Sequence, residues 1–174
     1  DAVRLSETFY YFNSVTAPGD EVANYTYSYS FDGANVKETT VYIYEGEKQA
    51  SDISVTISSR KEWTRTYMGD AMDVGGSIKF DAVKKTETKF YFDASTVAGD
   101  EIANYTHDYN PLGTAVKTTT FYKYNDKLAT DPMVSPEAAM NISETYRGAW
   151  SDHDAAWNAS AIISMTYYDI HLGK

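Results

Sequence analysis

The chain of 174 residues contains no cysteine and only four prolines. Without cysteine it can form neither disulfides nor thiolate metal sites. It also lacks any apolar run of about 18 residues, so the sequence predicts no transmembrane helix. Positive charge is scarce, and a net charge of −10 argues against a nucleic-acid groove and against insertion at an anionic membrane surface. An acidic, Cys-free chain of this kind favours an extracellular or cell-surface location.

The chain is rich instead in residues that suit half-buried strands, with 16 Tyr, 19 Thr and 15 Ser. It also contains a long internal repeat. Residues 1–44 align with residues 81–124 at an offset of 80 without a gap, and 23 of the 44 pairs are identical. A repeat of this length determines the architecture before any local motif is interpreted. Repeated scaffolds are typical of structural proteins, since a catalytic centre is rarely duplicated.

The repeat divides the chain into two units and the beginning of a third. After residue 44 the alignment continues at an offset of 79, where Thr66 and Tyr67 match Thr145 and Tyr146. We therefore predict one unit at 1–80, a second at 81–160, and a third unit or an exchanged strand beginning at 161–174. The start of the chain without Met and its stop within a unit indicate a piece of a longer array, or a subunit completed by its neighbours. The predicted assembly strand resembles residues 6–10 and consists of Ser164, Met165, Thr166, Tyr167 and Tyr168.

Each unit begins with strand patterns. Residues 25–31 and 36–44 alternate between aromatic or β-branched residues and polar ones, which predicts two antiparallel strands. Asp32-Gly33 between them predicts a tight type I′ turn. Pro111-Leu112-Gly113 replaces that turn in the second unit, and Pro111 is expected to end its strand early.

Comparison of the two copies predicts which side chains face inward. Val36, Tyr42 and Tyr44 are retained as Val116, Tyr122 and Tyr124, so these positions are expected to face the core. Residue 43 changes from Ile to Lys at 123, so both residues are expected to face outward or to lie near an edge.

Further strands are predicted at 8–12, 53–57, 63–68 and 88–92, with a loop at 70–77. Ser135-Pro136 has the pattern of a helix start, but the repeat alignment favours a strand or an irregular loop there. The fold class expected is all-β, with tandem antiparallel β-hairpin repeats that form a β-sheet spiral, a solenoid or a sandwich.

The hairpin segment resembles the YD repeat of RHS and teneurin-type proteins. Tyr29, Asp32, Gly33, Val36 and Thr39 occupy the positions typical of that repeat, and the second copy differs by having Leu112 at the Asp position. The resemblance covers about 14 residues of each unit. It implies hairpins wound into a β spiral on large surface or secreted proteins. The family's self-cleaving motif is missing, because Asp131-Pro132 is followed by Met-Val rather than glycines.

No residue pattern marks a catalytic centre, a cofactor or a metal site. The pairs Asp20-Glu21 and Asp100-Glu101 lie next to a glycine and are interpreted as turn residues, because adjacent strand residues point to opposite faces. Asp152-His153-Asp154 is interpreted as a solvated loop rather than as metal ligands. Asp70 and Asp73, ahead of two glycines, lack the regular spacing of a calcium loop.

Two sets of residues suggest contact with sugars. Four Asn-x-Ser/Thr sequences are candidate glycosylation sites, at Asn24, Asn104, Asn141 and Asn158. For Asn24 and Asn104 the competing interpretation is a turn before a strand. Trp150 and Trp157 flank the acidic 152–154 segment and are the aromatic residues expected to be exposed and able to stack on a glycan.

The sequence therefore predicts a structural repeat module without enzymatic activity. It would assemble by stacking or strand addition into a filament or a long array, with copies of itself as partner. The alternative is a carbohydrate-binding or adhesin domain.

Overall fold

The computed structural model describes residues 3–12, 16–159 and 161–168, and it is all-β: 47% of the chain is strand and 4% is helix. All the strands belong to one open antiparallel sheet. They are β1 (Ser6–Tyr11), β2 (Val22–Tyr29), β3 (Val36–Tyr44), β4 (Lys48–Gln49), β5 (Lys61–Met68), β6 (Lys84–Tyr91), β7 (Ile102–Tyr109), β8 (Val116–Tyr124), β9 (Lys127–Leu128), β10 (Met140–Arg147) and β11 (Ile162–Tyr167). The single helix within the described ranges is α1 (His153–Asn158). The prediction of an all-β antiparallel fold is confirmed.

The long strands follow each other across the sheet in the order β1-β2-β3-β5-β6-β7-β8-β10-β11, while β4 and β9 extend short hairpins from β3 and β8. Strand pairing recurs with the sequence repeat. Thr8 lies opposite Thr26, and Thr88 lies opposite Thr106, each pair 80 residues from its counterpart. Of the six strand segments predicted at 8–12, 25–31, 36–44, 53–57, 63–68 and 88–92, all but 53–57 correspond to observed strands.

The hairpin turns differ from the predicted geometry. Ser30 N–H donates to Asn35 O, which closes a longer loop, and only Gly33 has a positive φ. A type I′ turn needs positive φ at both central residues, so the prediction of that turn at Asp32-Gly33 is wrong. The second turn closes in the same way, from Asn110 N–H to Ala115 O. Its Pro111 lies beyond the end of β7, so it does not shorten the strand as predicted.

The segment at 53–57, predicted as a strand, forms turns instead. Asp52 Oδ1 accepts hydrogen bonds from Ser54 N–H and Ser54 Oγ, and Val55 N–H donates to Asp52 O. A short polar side chain that binds nearby backbone in this way competes with strand pairing. The Ser135-Pro136 segment is irregular and leads into β10, as the favoured interpretation predicted.

Both faces of this single-layer sheet carry cover. One face packs under residues 69–79 in the first unit and under residues 148–158 in the second. Ile43 is 1% exposed on that face, in a cluster with Val41 and Tyr67, so the prediction that it faces outward is wrong. On the opposite face Tyr44 packs with Val22 and Ala50, as the inward prediction required.

In each unit, a threonine hydroxyl at the same repeat position binds the covering segment to the sheet by hydrogen bonds. Thr39 Oγ donates to Gly69 O (2.6 Å) and accepts from Ala71 N–H (3.0 Å). In the second unit Thr119 Oγ donates to Gly148 O (2.7 Å) and accepts from Trp150 N–H (3.0 Å). Each hydroxyl therefore satisfies one donor and one acceptor of the segment that lies over it.

Replacing Thr119 with valine is expected to lower the free energy of unfolding by about 2 kcal/mol, because the change preserves shape but leaves buried backbone groups without partners. Thr120→Val is the matched control, since Thr120 is half-buried on the opposite face and bonds to the Thr145 hydroxyl. Its expected cost is about 0.5–1 kcal/mol. Urea denaturation measures both, and equal costs would contradict the anchoring role.

Candidate functional site

The two edges of the sheet are the candidate site, because the edge strands β1 and β11 each have a neighbouring strand on one side only within the described residues. The predicted assembly strand coincides with β11. Thr166 and Tyr167 lie in β11 and are exposed, and Tyr168 follows it with its N–H donating to Asn141 O. Unpaired backbone at such an edge is a template for another strand.

β11 pairs with β10 as β6 pairs with β5. Met165 lies opposite Glu144, as Glu87 lies opposite Arg65, and in both pairs of strands a bulge follows one position later. β11 therefore occupies the place of a first strand of a unit. The two strands differ at their other edge. There β6 pairs with β7, whereas the corresponding edge of β11 is unpaired within the described residues.

A buried carboxylate marks the place where β5, β6 and β7 join. Glu87 accepts hydrogen bonds from Arg65 Nε (3.1 Å), Lys84 Nζ (3.0 Å) and Tyr109 Oη (2.7 Å). His107 Nδ1 lies 3.7 Å from the same carboxylate. Burial raises the pKa of Glu87, but the neighbouring His107, Tyr109 and Lys84 side chains outweigh burial and hold that pKa well below 4.5. The carboxylate is therefore charged across the physiological range.

Glu7 holds the equivalent position at the open edge of β1. It accepts from Arg4 Nη1 (3.0 Å) and Tyr29 Oη (2.9 Å), which correspond to Lys84 and Tyr109. No strand precedes β1 in the described structure, so no counterpart of Arg65 reaches it. The Glu7 side chain is 38% exposed, compared with 11% for Glu87.

A second buried carboxylate, Glu144, lies next to β11. It is 2% exposed and accepts from Lys123 Nζ (2.6 Å) and Tyr146 Oη (2.8 Å), with His153 Nε2 2.6 Å away. Burial raises its pKa, but these three partners outweigh burial and lower it. The prediction that Lys123 faces outward is therefore wrong, because it pairs with a buried charge.

The 152–154 segment is not the solvated loop predicted from sequence. Asp152 caps helix α1 by accepting from Ala155 N–H (2.8 Å), and the helix directs His153 to the buried Glu144. Within the described ranges no group of three or more His, Cys, Asp or Glu side chains could hold a metal ion. Asp70 and Asp73 bind donors within their own loop, such as Met72 N–H and Gly75 N–H.

The two tryptophans proposed for glycan contact differ in their surroundings. Trp150 is half-buried, and its indole N–H donates to Arg147 O (2.7 Å), so the prediction that it is exposed is wrong. Trp157 is 53% exposed and stacks on His153 with 6.4 Å between ring centroids. Only Trp157 of the pair presents a ring that a sugar could reach.

The four candidate glycosylation residues also differ in exposure. Asn24 is buried in β2, and Asn104 is half-buried in β7. Asn141 exchanges hydrogen bonds with Asp126 across a turn. Asn158 is exposed at the last position of α1, so it is the residue of the four whose side chain is most open to a glycan.

Histidine 107 gives the β6–β7 junction a pH dependence. Burial lowers the pKa of His107, but the Glu87 carboxylate and the Trp150 carbonyl (2.9 Å) outweigh burial, so the pKa lies above 6.5. Its contribution to stability is complete below pH 6.5 and is lost as pH rises through the folded-state pKa. Glu87 behaves oppositely, because its contribution is complete above pH 4.5 and is lost as pH falls. The pair stabilises most between these two values.

We therefore expect His107→Gln to flatten the alkaline side of the stability profile, because glutamine has no charge to lose there. The urea midpoint of the unmodified chain should fall between about pH 5.5 and pH 8.5, and that of the variant should change much less. Gln can still donate to the Trp150 carbonyl, so packing of the covering segment is kept. Parallel profiles for the two proteins would contradict this role.

Sequence reasoning missed the Glu87 and Glu144 clusters. One signal was available for Glu87: a glutamate is retained at 7 and 87 in the middle of a strand pattern, where a charge needs a partner.

The one helix in the described ranges, α1, is not long and apolar enough to cross a membrane. Compared with family models, with curated proteins and with solved structures, the chain matches none.

Proposed function

We propose that this chain is a structural module of an extracellular or cell-surface β-repeat protein, which extends by adding strands at the open edges of its sheet. The observation that carries the proposal is the pairing of β11, which sits on β10 as β6 sits on β5 and leaves its outer edge open in the described structure. The neighbour that adds there is a further unit of the same chain or another copy. The extracellular location is supported by composition and by the YD-repeat resemblance.

Strand direction determines which strand can add at each edge. The nine long strands alternate in direction, so β1 and β11 run parallel to each other. A direct β11–β1 contact between copies in the same orientation would therefore be a parallel pair. Antiparallel continuation requires a strand like β2 or β7 beside β11, and a strand like β5 or β10 beside β1. This arrangement extends an array and winds it into a spiral or solenoid as the sheet twists.

The charge at the β1 edge fits the same arrangement. A strand like β5 beside β1 would place a cation equivalent to Arg65 against Glu7. The carboxylate would then acquire the set of partners that Glu87 has at the β5–β6–β7 junction. Addition of a β5-like strand would therefore complete a cluster that is only half built at Glu7, whereas a β10-like strand would bring Glu144 in place of the cation.

An extended chain tests the proposal. Residues 91–174 joined directly after Tyr168 would place a new copy of β7 beside β11, followed by copies of β8, β10 and β11. We expect one cooperative thermal transition at a higher temperature than that of the parent, because stability in a repeat array includes the interfaces between units. The matched control carries proline in place of the Thr106 copy, which would face Thr166 and could no longer donate to the ladder.

Two results would contradict the array. In one, the added unit melts separately from the parent. In the other, the proline variant melts at the same temperature as the extended chain. Negative-stain microscopy of the purified native material adds a direct test, in which filaments or strings of units are expected. Monodisperse globular particles at high concentration would contradict assembly between copies.

A second candidate function is glycan binding, and the observation that favours it is the exposed ring of Trp157 over His153. Binding on a glycan array that is lost in Trp157→Ala, but kept in a variant with an exposed aromatic removed elsewhere (Phe31→Ala), would support an adhesin. Phe31 is 96% exposed and serves as the matched control.

A further inference from the structure

Acidic connections lie at both ends of the strands, whereas a groove lined by lysines lies at one end. At the lower end, where β1, β3, β6 and β8 finish, the connections 16–21, 45–60, 92–101 and 125–139 each hold two or three carboxylates. The cations in those four connections are Lys48, Arg60 and Lys127. At the upper end, where β2, β5 and β7 finish, four lysines line one groove. The upper-end connections also carry carboxylates (Asp32, Asp70, Asp73, Asp81, Asp152 and Asp154), so the groove is a local cluster of lysines within an acidic surface.

The groove at the upper end lies between the starts of β3, β6 and β8. Its lysines are Lys37, Lys84, Lys85 and Lys117, and Met68 and Tyr109 form part of its apolar wall. Lys84 pairs with Glu87, and Lys85 pairs with Glu38. The side chains of Lys37 and Lys117 are exposed and form no hydrogen bond or ion pair with the described residues. These two ammonium groups are therefore available to a partner.

Two carboxylates at the lower end match these lysines in number and spacing. Asp20 and Asp100 are exposed, and their side chains form no hydrogen bond or ion pair within the described part of the chain. Both pairs obey the repeat, since each partner lies 80 residues from the other. Lys37 and Lys117 are separated by four strand-to-strand steps, and so are the loops of Asp20 and Asp100. Four steps correspond to about 19 Å in either pair.

We propose that a second copy of this chain docks its lower end on this groove, with Asp20 and Asp100 against Lys37 and Lys117. The contact is head-to-tail along the strand direction, so it runs at right angles to strand addition at the edges. It does not depend on whether the edges pair. Because the repeat gives both ends the same spacing, one displacement of the partner brings both ion pairs together.

Charge exchange in sedimentation experiments tests the contact. The chain should self-associate at concentrations up to about 1 mM in about 0.05 M salt and dissociate in about 0.5 M salt, since exposed ion pairs are screened. Lys37→Glu/Lys117→Glu should lower the association constant about tenfold, and Asp20→Lys/Asp100→Lys should do the same. An equimolar mixture of the two variants should associate again, because each supplies the end that the other has lost.

A control of equal charge separates this contact from general repulsion. Lys79→Glu/Arg147→Glu changes the net charge by the same amount but lies outside both the groove lining and the lower-end connections, so it should associate as the unmodified chain does. Circular dichroism confirms that every variant is folded. The proposal is overturned by a chain that stays monomeric in low salt, by a mixture that fails to associate, or by a control as weak as the groove variant. It is also overturned if dextran sulfate binds the groove while the protein remains monomeric.

Discussion

Glu87→Ala is expected to lower the free energy of unfolding by about 3 kcal/mol, whereas Glu7→Ala at the equivalent position should cost less than about 1 kcal/mol. The two residues belong to the same place in the repeat and accept from the same kinds of donor, an Arg or Lys and a Tyr. The difference between them is the surrounding sheet, because Glu87 lies between two strands and Glu7 lies at an edge.

The large cost at position 87 comes from the partners that would be left behind. Arg65 would keep its ion pair with Glu47 (2.5 Å), but Lys84, His107 and the Tyr109 hydroxyl would lose the anion that they surround. Removing one partner of a buried ion pair is more harmful than never having had the pair, since the remaining charge stays out of water. At Glu7 the remaining groups are solvated, and the same loss is small.

Urea denaturation near neutral pH measures both variants, with Glu87→Gln as the shape-preserving control. The Glu87→Ala cost should shrink as pH falls below 4.5, because the contribution of this carboxylate is present above that value and is lost toward the folded-state pKa. Similar costs at positions 7 and 87 would mean that burial between strands adds nothing to the cluster. A cost independent of pH would point to lost packing rather than lost charge.

Much of the fold was predictable because the alternation within strands and the internal repeat are both visible in the sequence itself. The bounds of β3 match the predicted range, and the pairing of β11 follows from its resemblance to residues 6–10. The predicted direction of residues 43 and 123 was wrong for a physical reason. In a single sheet with cover on both faces, alternate residues are buried on opposite sides, so Tyr44 and its neighbour Ile43 both lie in cores.

The candidate site was only partly predictable for a related reason. The position of the edge strand followed from the repeat, whereas the carboxylate clusters depend on residues brought together from separate strands. Glu144 receives Lys123 from β8 and His153 from the helix, which no local pattern indicates. A change from Ile43 to Lys123 was interpreted as a sign of exposure, but it accompanies the change from Arg65 to Glu144 on the neighbouring strand.

The second large effect is expected at Gly113, where alanine should cost about 3 kcal/mol. A β-carbon there would lie 2.7 Å from the backbone nitrogen of Lys84 and 2.9 Å from its carbonyl oxygen. Backbone cannot move aside as a flexible side chain can, and φ is +69°, a conformation that costs an L residue about 1–2 kcal/mol by itself. The turn between β7 and β8 therefore packs directly on the start of β6, and glycine is the residue that permits this approach.

Gly99→Ala separates the two causes, since Gly99 also has a positive φ (+98°) but has no atom within 4 Å of the added β-carbon. It should cost only the conformational part, about 1–2 kcal/mol. Gly33→Ala should fall between them, because its nearest contact, at 2.9 Å, is the Val3 side chain. Equal urea midpoints for the variants at 113 and 99 would remove the close approach as a cause. The predicted order explains why the turn retains glycine in both units while Asp32 is replaced by Leu112.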